Sequence, residues 1–347
     1  MDIDLEKVME MARNAYFDNA KVILIFLVVF GHLIQPFIGE SEGINTLYMW
    51  IYTFHMPAFI FLAGFFAKGS GNLTYIFNLA KKLLIPYLCF QLLYTLYYVW
   101  LGKTGWQGIF YPQWSLWFLF SLFSWHLLLI GFKKIPAFFS VTVAMMIGLI
   151  VGYFEEVGHL FSLSRTFVFF PFFLFGYWCT KEQVMWLKRK AIKIGSLIIL
   201  IIGAVAIYFA PDLNSGWLFA SKSYGELQMP AYGGAARLFV YATSTLMAMS
   251  VLAWMPRKQQ WFTSLGTKTL YVYLLHGFFI QFFRQKELFE ATHLLDVIWI
   301  GLIAAMIVLF LSSQSVLGIW QPVIEGKMSI LKRFFHRDDK RFHHEMK

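Results

Sequence analysis

Apolar stretches recur from one end of this 347-residue chain to the other. A helix needs roughly 17–25 such residues to cross the hydrocarbon core of a bilayer, about 30 Å thick. We read spans near 20–38, 46–67, 82–101, 114–132, 136–154, 165–180, 191–209, 236–255, 267–284 and 294–315. The expected fold is all-α: a polytopic membrane protein with about ten transmembrane helices. Composition agrees, with 59% hydrophobic and 14% charged residues, where soluble domains hold about 25% charged. A soluble multidomain protein and a disordered chain are both excluded. The organisation expected is an N-terminal cytoplasmic segment (1–19), a membrane domain (20–320) and a basic cytoplasmic tail (321–347), with no cleavable leader and no internal repeat.

Lys and Arg decide the orientation. With a cytoplasmic N-terminus, all but six of the 29 basic residues fall on the inner side or at adjoining helix ends. The six are Lys103, Arg165, Lys222, Arg237, Arg284 and Lys286. Asp and Glu divide nearly evenly, so the asymmetry belongs to the cations. The expected topology is N-in and C-in, in the cell membrane. The same distribution removes nucleic acid as the explanation of the +10 net charge: basic residues at helix ends on one face meet anionic lipid. The tail Lys332–Arg337 reads as a juxtamembrane anchor, and His343-His344 is too short for a metal site. Cys89 and Cys179 both lie in apolar runs, which argues against a disulfide framework. The longest outer loop, about 210–235, carries Pro211, Trp217, Tyr224, Pro230 and Tyr232; it reads equally as a lid or acceptor surface and as a connector.

Polar groups inside spans are expensive unless they pair or line a cavity. Lys21 and His32 lie eleven residues apart in the first span, close to three helical turns, so they share a face about 16 Å apart. His55 sits in Tyr52-Thr53-Phe54-His55-Met56-Pro57 and His276 in Tyr271-Val272-Tyr273-Leu274-Leu275-His276. Counted from the outer helix ends, the three histidines lie at similar depth, roughly 9–14 Å. That favours a shared site, against the alternative that each links two helices by a hydrogen bond. No Cys or carboxylate accompanies them at ligand spacing, so no metal is expected. Arg165 could hold a substrate anion or pair with Glu155 or Glu156. Trp114-Ser115-Leu116-Trp117-Phe118-Leu119 reads first as interfacial packing and second as a stacking surface.

At these residues the chain resembles the acyltransferase-3 family of integral membrane acyltransferases, and within it the fucose 4-O-acetylase-like subgroup. The resemblance is carried by Val28-Val29-Phe30-Gly31-His32, Phe54-His55-Met56-Pro57, Phe61-Leu62-Ala63-Gly64-Phe65, Lys81-Lys82-Leu83-Leu84-Ile85-Pro86-Tyr87 and Trp117-Phe118-Leu119. It continues through Arg165 before Pro171-Phe172-Phe173-Leu174-Phe175-Gly176, and Leu265-Gly266 to His276. The family commonly has Arg where Lys21 stands, and arginines where Lys81 and Lys82 stand. Charge is kept here and the bidentate fork lost.

The resemblance implies transfer of an acyl group, usually acetyl, from cytoplasmic acyl-CoA to a hydroxyl of a cell-envelope carbohydrate or glycolipid. Acyl-CoA is then a co-substrate, with no bound cofactor. His32 is the expected general base or transient acyl carrier, and His276, His55 and Tyr273 would orient it or stabilise the oxyanion. Lys21, Lys81 and Lys82 would hold the CoA phosphates as point charges. Arg165 and Trp117 would contact the acceptor. With no hydrolase-type domain appended, the chain either acylates the acceptor itself or works with an envelope-biosynthesis partner. The competing reading is a polysaccharide or small-molecule exporter, disfavoured by the lack of paired broken helices and the scarcity of intramembrane carboxylates.

Overall fold

A computed structural model describes residues 14–69, 73–103, 108, 110–158, 162–210 and 213–325. The segment 1–13, Pro211 and the tail beyond 325, with its Lys332–Arg337 and His343-His344, lie outside the described residues. Every regular element among the described residues is helical, as lipid demands of a backbone that must satisfy its own polar groups.

The helices are α1 (Ala15–Ile34), α2 (Glu42–Phe65), α3 (Leu73–Trp100), α4 (Trp117–Phe132), α5 (Ala137–Val151), α6 (Leu163–Trp178) and α7 (Lys181–Trp186). They continue with α8 (Lys190–Tyr208), the single turn α9 (Gly216–Phe219), α10 (Gly233–Trp254), α11 (Thr269–Lys286), α12 (Val297–Leu311) and α13 (Gln314–Glu325). Seven are long and apolar enough to cross a membrane once flanking turns are included: α1, α2, α3, α4, α8, α10 and α12. The other three expected spans are also helices, but α5 and α6 have only 15 and 16 residues. The third, α11, carries Gln281, Arg284, Gln285 and Lys286 in its last turns. The last helix, α13, runs across the boundary placed at 320.

Local signals set the helix ends. Asn14 caps α1, its side chain accepting from the Tyr16 N–H at 3.0 Å, so one orphan donor of the first turn is satisfied. Thr180 and Gln183 form a reciprocal capping box on α7.

Contacts between helix ends sort the bundle into two faces. At one face the start of α1 meets the ends of α2 and α10: Phe17 stacks on Phe65, and the Tyr16 hydroxyl donates to the Leu252 carbonyl. Asn19, fully buried, donates to the carbonyls of Pro256 and Lys258 and accepts from Thr263. On the same face Lys68 donates to the Cys179 carbonyl, Lys188 to those of Ala253 and Met255, and Lys268 to that of Ser312. Basic residues thus gather at one end, several on the last carbonyls of helices, where the helix dipole favours cations. The opposite face joins the end of α1 to the end of α11 through Arg284 and Gln35. There Gly43, at the start of α2, also lies against Leu294.

Among the basic-face residues Lys188 is distinctive. Partial burial, then the neighbouring charges of Lys193 and Arg257, push its ammonium down to about 8. Its modification by an amine-selective acylating reagent should therefore rise with pH around a midpoint near 8, below that of an ordinary lysine. Residue-resolved mass spectrometry of the intact protein would check this; a midpoint near 10 would contradict it.

The core centres on α2 and α6. Gly64 of α2 lies against the Phe173 carbonyl, and Gly176 of α6 against the Phe61 carbonyl, so that a Cβ on either would fall on the facing backbone. Small residues permit this close approach where helices associate without a hydrophobic driving force. By contrast α8 buries only Ser196 and Ile207 and presents Ile201, Ile202 and Val205 outward, a lipid-facing surface.

Candidate active site

His32 lies two residues before the end of α1, where the last carbonyls lack helical partners. Arg284 of α11 supplies one: its Nη2 donates to the His32 carbonyl and to Gln35 Oε1, both at 2.7 Å. The ring of Tyr52, from antiparallel α2, reaches His32 because position 31 is glycine. A Cβ there would come within 2.9 Å of Tyr52 Cε2. The Tyr52 hydroxyl lies 3.4 Å from His32 Nδ1, and its ring centroid 4.4 Å from that of His55. Tyr52 therefore links the two histidines.

His276 approaches from α11, its ring stacked on that of His32 with centroids 5.7 Å apart and planes inclined by 29°. Its Nδ1 faces the carbonyls of Val272 and Tyr273 at 3.0 and 2.7 Å. Those acceptors place the proton on Nδ1 and leave Nε2 as a lone-pair nitrogen. That Nε2 is buried and has no hydrogen-bond partner. His55 is held the same way, Nδ1 on the Ile51 carbonyl at 2.9 Å.

Trp114 completes the cluster. It sits at the head of the Trp114–Leu116 turn with φ +44°, a conformation rare for a bulky residue. Its ring centroid is 4.5 Å from His32 and 5.1 Å from His276. Gly277 makes room for it, since a Cβ there would strike Trp114 and the Tyr94 hydroxyl. Tyr273 holds the turn from below by donating its hydroxyl to the Ser115 carbonyl.

Two cavities meet at His32. The smaller, about 220 Å³, is walled by His32, Tyr52, His55, Trp114, Trp117 and Arg165, with Leu218 and Phe219 across it. Arg165 lies over the Trp117 ring at 5.1 Å and donates Nε to the Phe219 carbonyl at 3.2 Å. Ser164 donates to the Ala220 carbonyl, and buried Arg237 to that of Trp217. The described part of the long loop near 210–235 is thus fastened down, and two of its residues, Leu218 and Phe219, form a cavity wall. Glu155 lies against Gly225 instead. The larger cavity, about 650 Å³, opens on the other side of His32 between the ends of α1 and α11. His32 and Gln35 line both.

The structure therefore brings together six of the residues singled out from sequence: His32, His55, His276, Tyr273, Arg165 and Trp117. It leaves Lys21, Lys81 and Lys82 elsewhere. Lys21 pairs with Asp18 at 2.6 Å, Lys81 lies over Phe77 at 4.3 Å, and Lys82 is exposed; none lines either cavity. No group of three or more His, Cys, Asp or Glu among the described residues could hold a metal ion. Three site residues, Tyr52, Gln35 and Arg284, were given no role from sequence. Tyr52 and Gln35 each lie three positions from a histidine, and Arg284 lies eight after His276, about two turns along α11. Those spacings were the available signal. Trp114 belongs to the stretch that reads first as interfacial packing and second as a stacking surface, and nothing local in the sequence announces that it stands between two histidines.

Comparison with known proteins bears on the chemistry. Residues 14–314 match the family model described as an acyltransferase domain, that of acyltransferase-3. The chain is 27% identical over 310 residues to nodulation protein NolL of Sinorhizobium fredii (strain NBRC 101917 / NGR234), covering 82% of each protein. A 61-residue segment is 39% identical to NolL of Mesorhizobium japonicum (strain LMG 29417 / CECT 9101 / MAFF 303099), covering 17% of this chain and 16% of that one. No solved structure is a significant match. With its family model spanning nearly all of the helical bundle, this multi-pass membrane protein belongs to the acyltransferase-3 family of acyltransferases.

Proposed function

We propose that the protein transfers an acetyl group from cytoplasmic acetyl-CoA to a hydroxyl of a cell-envelope carbohydrate or glycolipid, in the manner of a fucose 4-O-acetylase-like enzyme of the cell membrane. The observation that carries this reading is the position of His32, in the wall of both cavities and beside the buried His276. An acceptor on one side and an acyl group on the other would meet at its ring.

In the reaction the acceptor hydroxyl oxygen attacks the thioester carbonyl carbon while His32 takes the hydroxyl proton. The new C–O bond forms, the C–S bond breaks, and the departing CoA sulfur recovers the proton from His32. Tyr52 and His276 orient His32. Tyr273 acts one step removed, by fixing the turn that carries Trp114. Arg165 and Trp117 flank the reacting end of the acceptor, with the guanidinium and nearby His55 available to the developing oxyanion. Lys21, Lys81 and Lys82 meet the CoA phosphates at the basic face.

That face is cytoplasmic in this reading, and ten helices cross the bilayer: the seven long apolar ones together with α5, α6 and α11, of which α6 and α11 pack mostly inside the bundle while α5 turns Phe138, Phe139 and Met146 outward. Helix ends support it, since the start of α1 and the ends of α2, α6, α10 and α12 share the basic face. A reporter fused to the C-terminus should be active only in the cytoplasm; activity outside would invert the topology and remove the CoA assignment. The acyl-transfer reading is tested with purified protein in nanodiscs and radiolabelled acetyl-CoA, following CoA release. Turnover dependent on His32 supports it, and silence across short acyl-CoA donors would transfer support to an exporter.

A further inference from the structure

Resting on the acyltransferase reading, we infer that the larger cavity is the acceptor's binding site and that it selects an uncharged or amino-bearing sugar over an acidic one. The argument begins with size. Small-molecule sites commonly occupy about 300–1,000 Å³, so the 220 Å³ cavity has room for an acyl group and one reacting hydroxyl, not for a glycan. The 650 Å³ cavity has room for a short saccharide and shares His32 and Gln35 with the smaller one, so a sugar lodged there can present one hydroxyl to His32.

Its walls match that ligand. Phe37, Phe283 and Phe289 supply aromatic faces, and Glu40, Glu287 and Glu290 supply carboxylate acceptors around the mouth. All three glutamates are exposed. The α11 helix ends at Glu287 in the left-handed conformation (φ +47°), which turns the chain so that Glu290 falls on the same cavity. The charged group opposing them in the lining is Arg284, whose Nη2 is spent on the His32 carbonyl and Gln35. Its Nε is buried and without a partner. Three carboxylates against one cation give the mouth a net negative field, which concentrates cations and repels anions. A sugar hydroxyl can donate to a carboxylate; a uronate brings like charge to it.

The field and the ligand can be read without catalysis. Thr292 lines the cavity and is exposed. In full-length protein carrying Thr292→Cys with Cys89→Ser and Cys179→Ser, modification is timed with a trimethylammonium-ethyl and a sulfonatoethyl methanethiosulfonate, each normalised to its rate with a free thiol. The cationic reagent should be favoured by about tenfold or more at low salt, falling toward parity at 1 M salt and in Glu40→Gln/Glu287→Gln/Glu290→Gln protein. If that triple variant does not fold, the single variants should each lower the ratio. Methyl glucoside and methyl glucosaminide should slow the modification, and methyl glucuronide should not. Equal normalised rates, a ratio unchanged by the Gln variants, or no protection by the neutral glycoside would overturn the inference. CoA release is measured separately on the same preparation, so failure of acyl transfer is distinguishable from failure of this assignment.

Discussion

Protein carrying His32→Ala should lose acyl transfer by about 10²–10⁴-fold, the usual contribution of a positioned acid–base group, with its folding intact. The residue borders two cavities, so truncation enlarges a space that already exists instead of opening a void in packed core. Its backbone carbonyl, which Arg284 uses, survives the substitution. The measurement is single-turnover release of CoA from radiolabelled acetyl-CoA, with label retention on the protein followed in parallel. Label that stays on wild type and is absent from the variant would make His32 an acyl carrier; release that needs acceptor and leaves no label would make it a general base. His32→Ala protein with wild-type turnover would remove His32 from the chemistry altogether, and His276, with its unpartnered Nε2, would become the next residue to replace.

The second large effect is expected at the α2–α6 contact. Gly176→Ala should destabilise the bundle by at least the 1–3 kcal/mol typical of overpacking, and Gly64→Ala similarly. The added methyl meets a backbone carbonyl and not the end of a flexible side chain. Relief therefore requires separating two helices whose facing residues, Phe61 and Phe173, are themselves fully buried. Fluorescence-detected size exclusion after a heating series, on detergent-solubilised protein, would show a lower midpoint or no monodisperse peak. Ala at Gly131, which has open space around its would-be Cβ, should leave the midpoint within a degree or two of wild type. Equal behaviour of the two variants would mean that the α2–α6 contact relaxes more readily than its geometry indicates.

Apolar run length made the membrane helices legible, because a stretch of some twenty such residues has one stable arrangement in lipid. It was less informative for α5, α6 and α11. Two are short, and the third carries polar residues in its last turns. A run-length argument cannot distinguish a helix facing lipid from one enclosed by other helices. The histidines were legible for a related reason: an imidazole inside a span is costly enough to need an explanation, and counting residues from a helix end gives depth.

Depth is one coordinate of three. The place of each histidine along its helix and the asymmetry of the cations followed from the chain read alone, since both depend on position along a helix of known rise. Which helices are neighbours, and which faces they turn to each other, depended on contacts between residues far apart in sequence. Gly31 admits Tyr52, Gly277 admits Trp114, and Arg284 closes the end of α1 across 252 positions. No periodicity within one helix encodes such a match, because it is a property of two surfaces. The sequence by itself therefore determined a helical membrane protein and pointed to His32, His55 and His276 as polar groups within its apolar stretches. Only the tertiary structure decided that two of those rings stack, that Tyr52 links the third, and that His32 stands between two cavities.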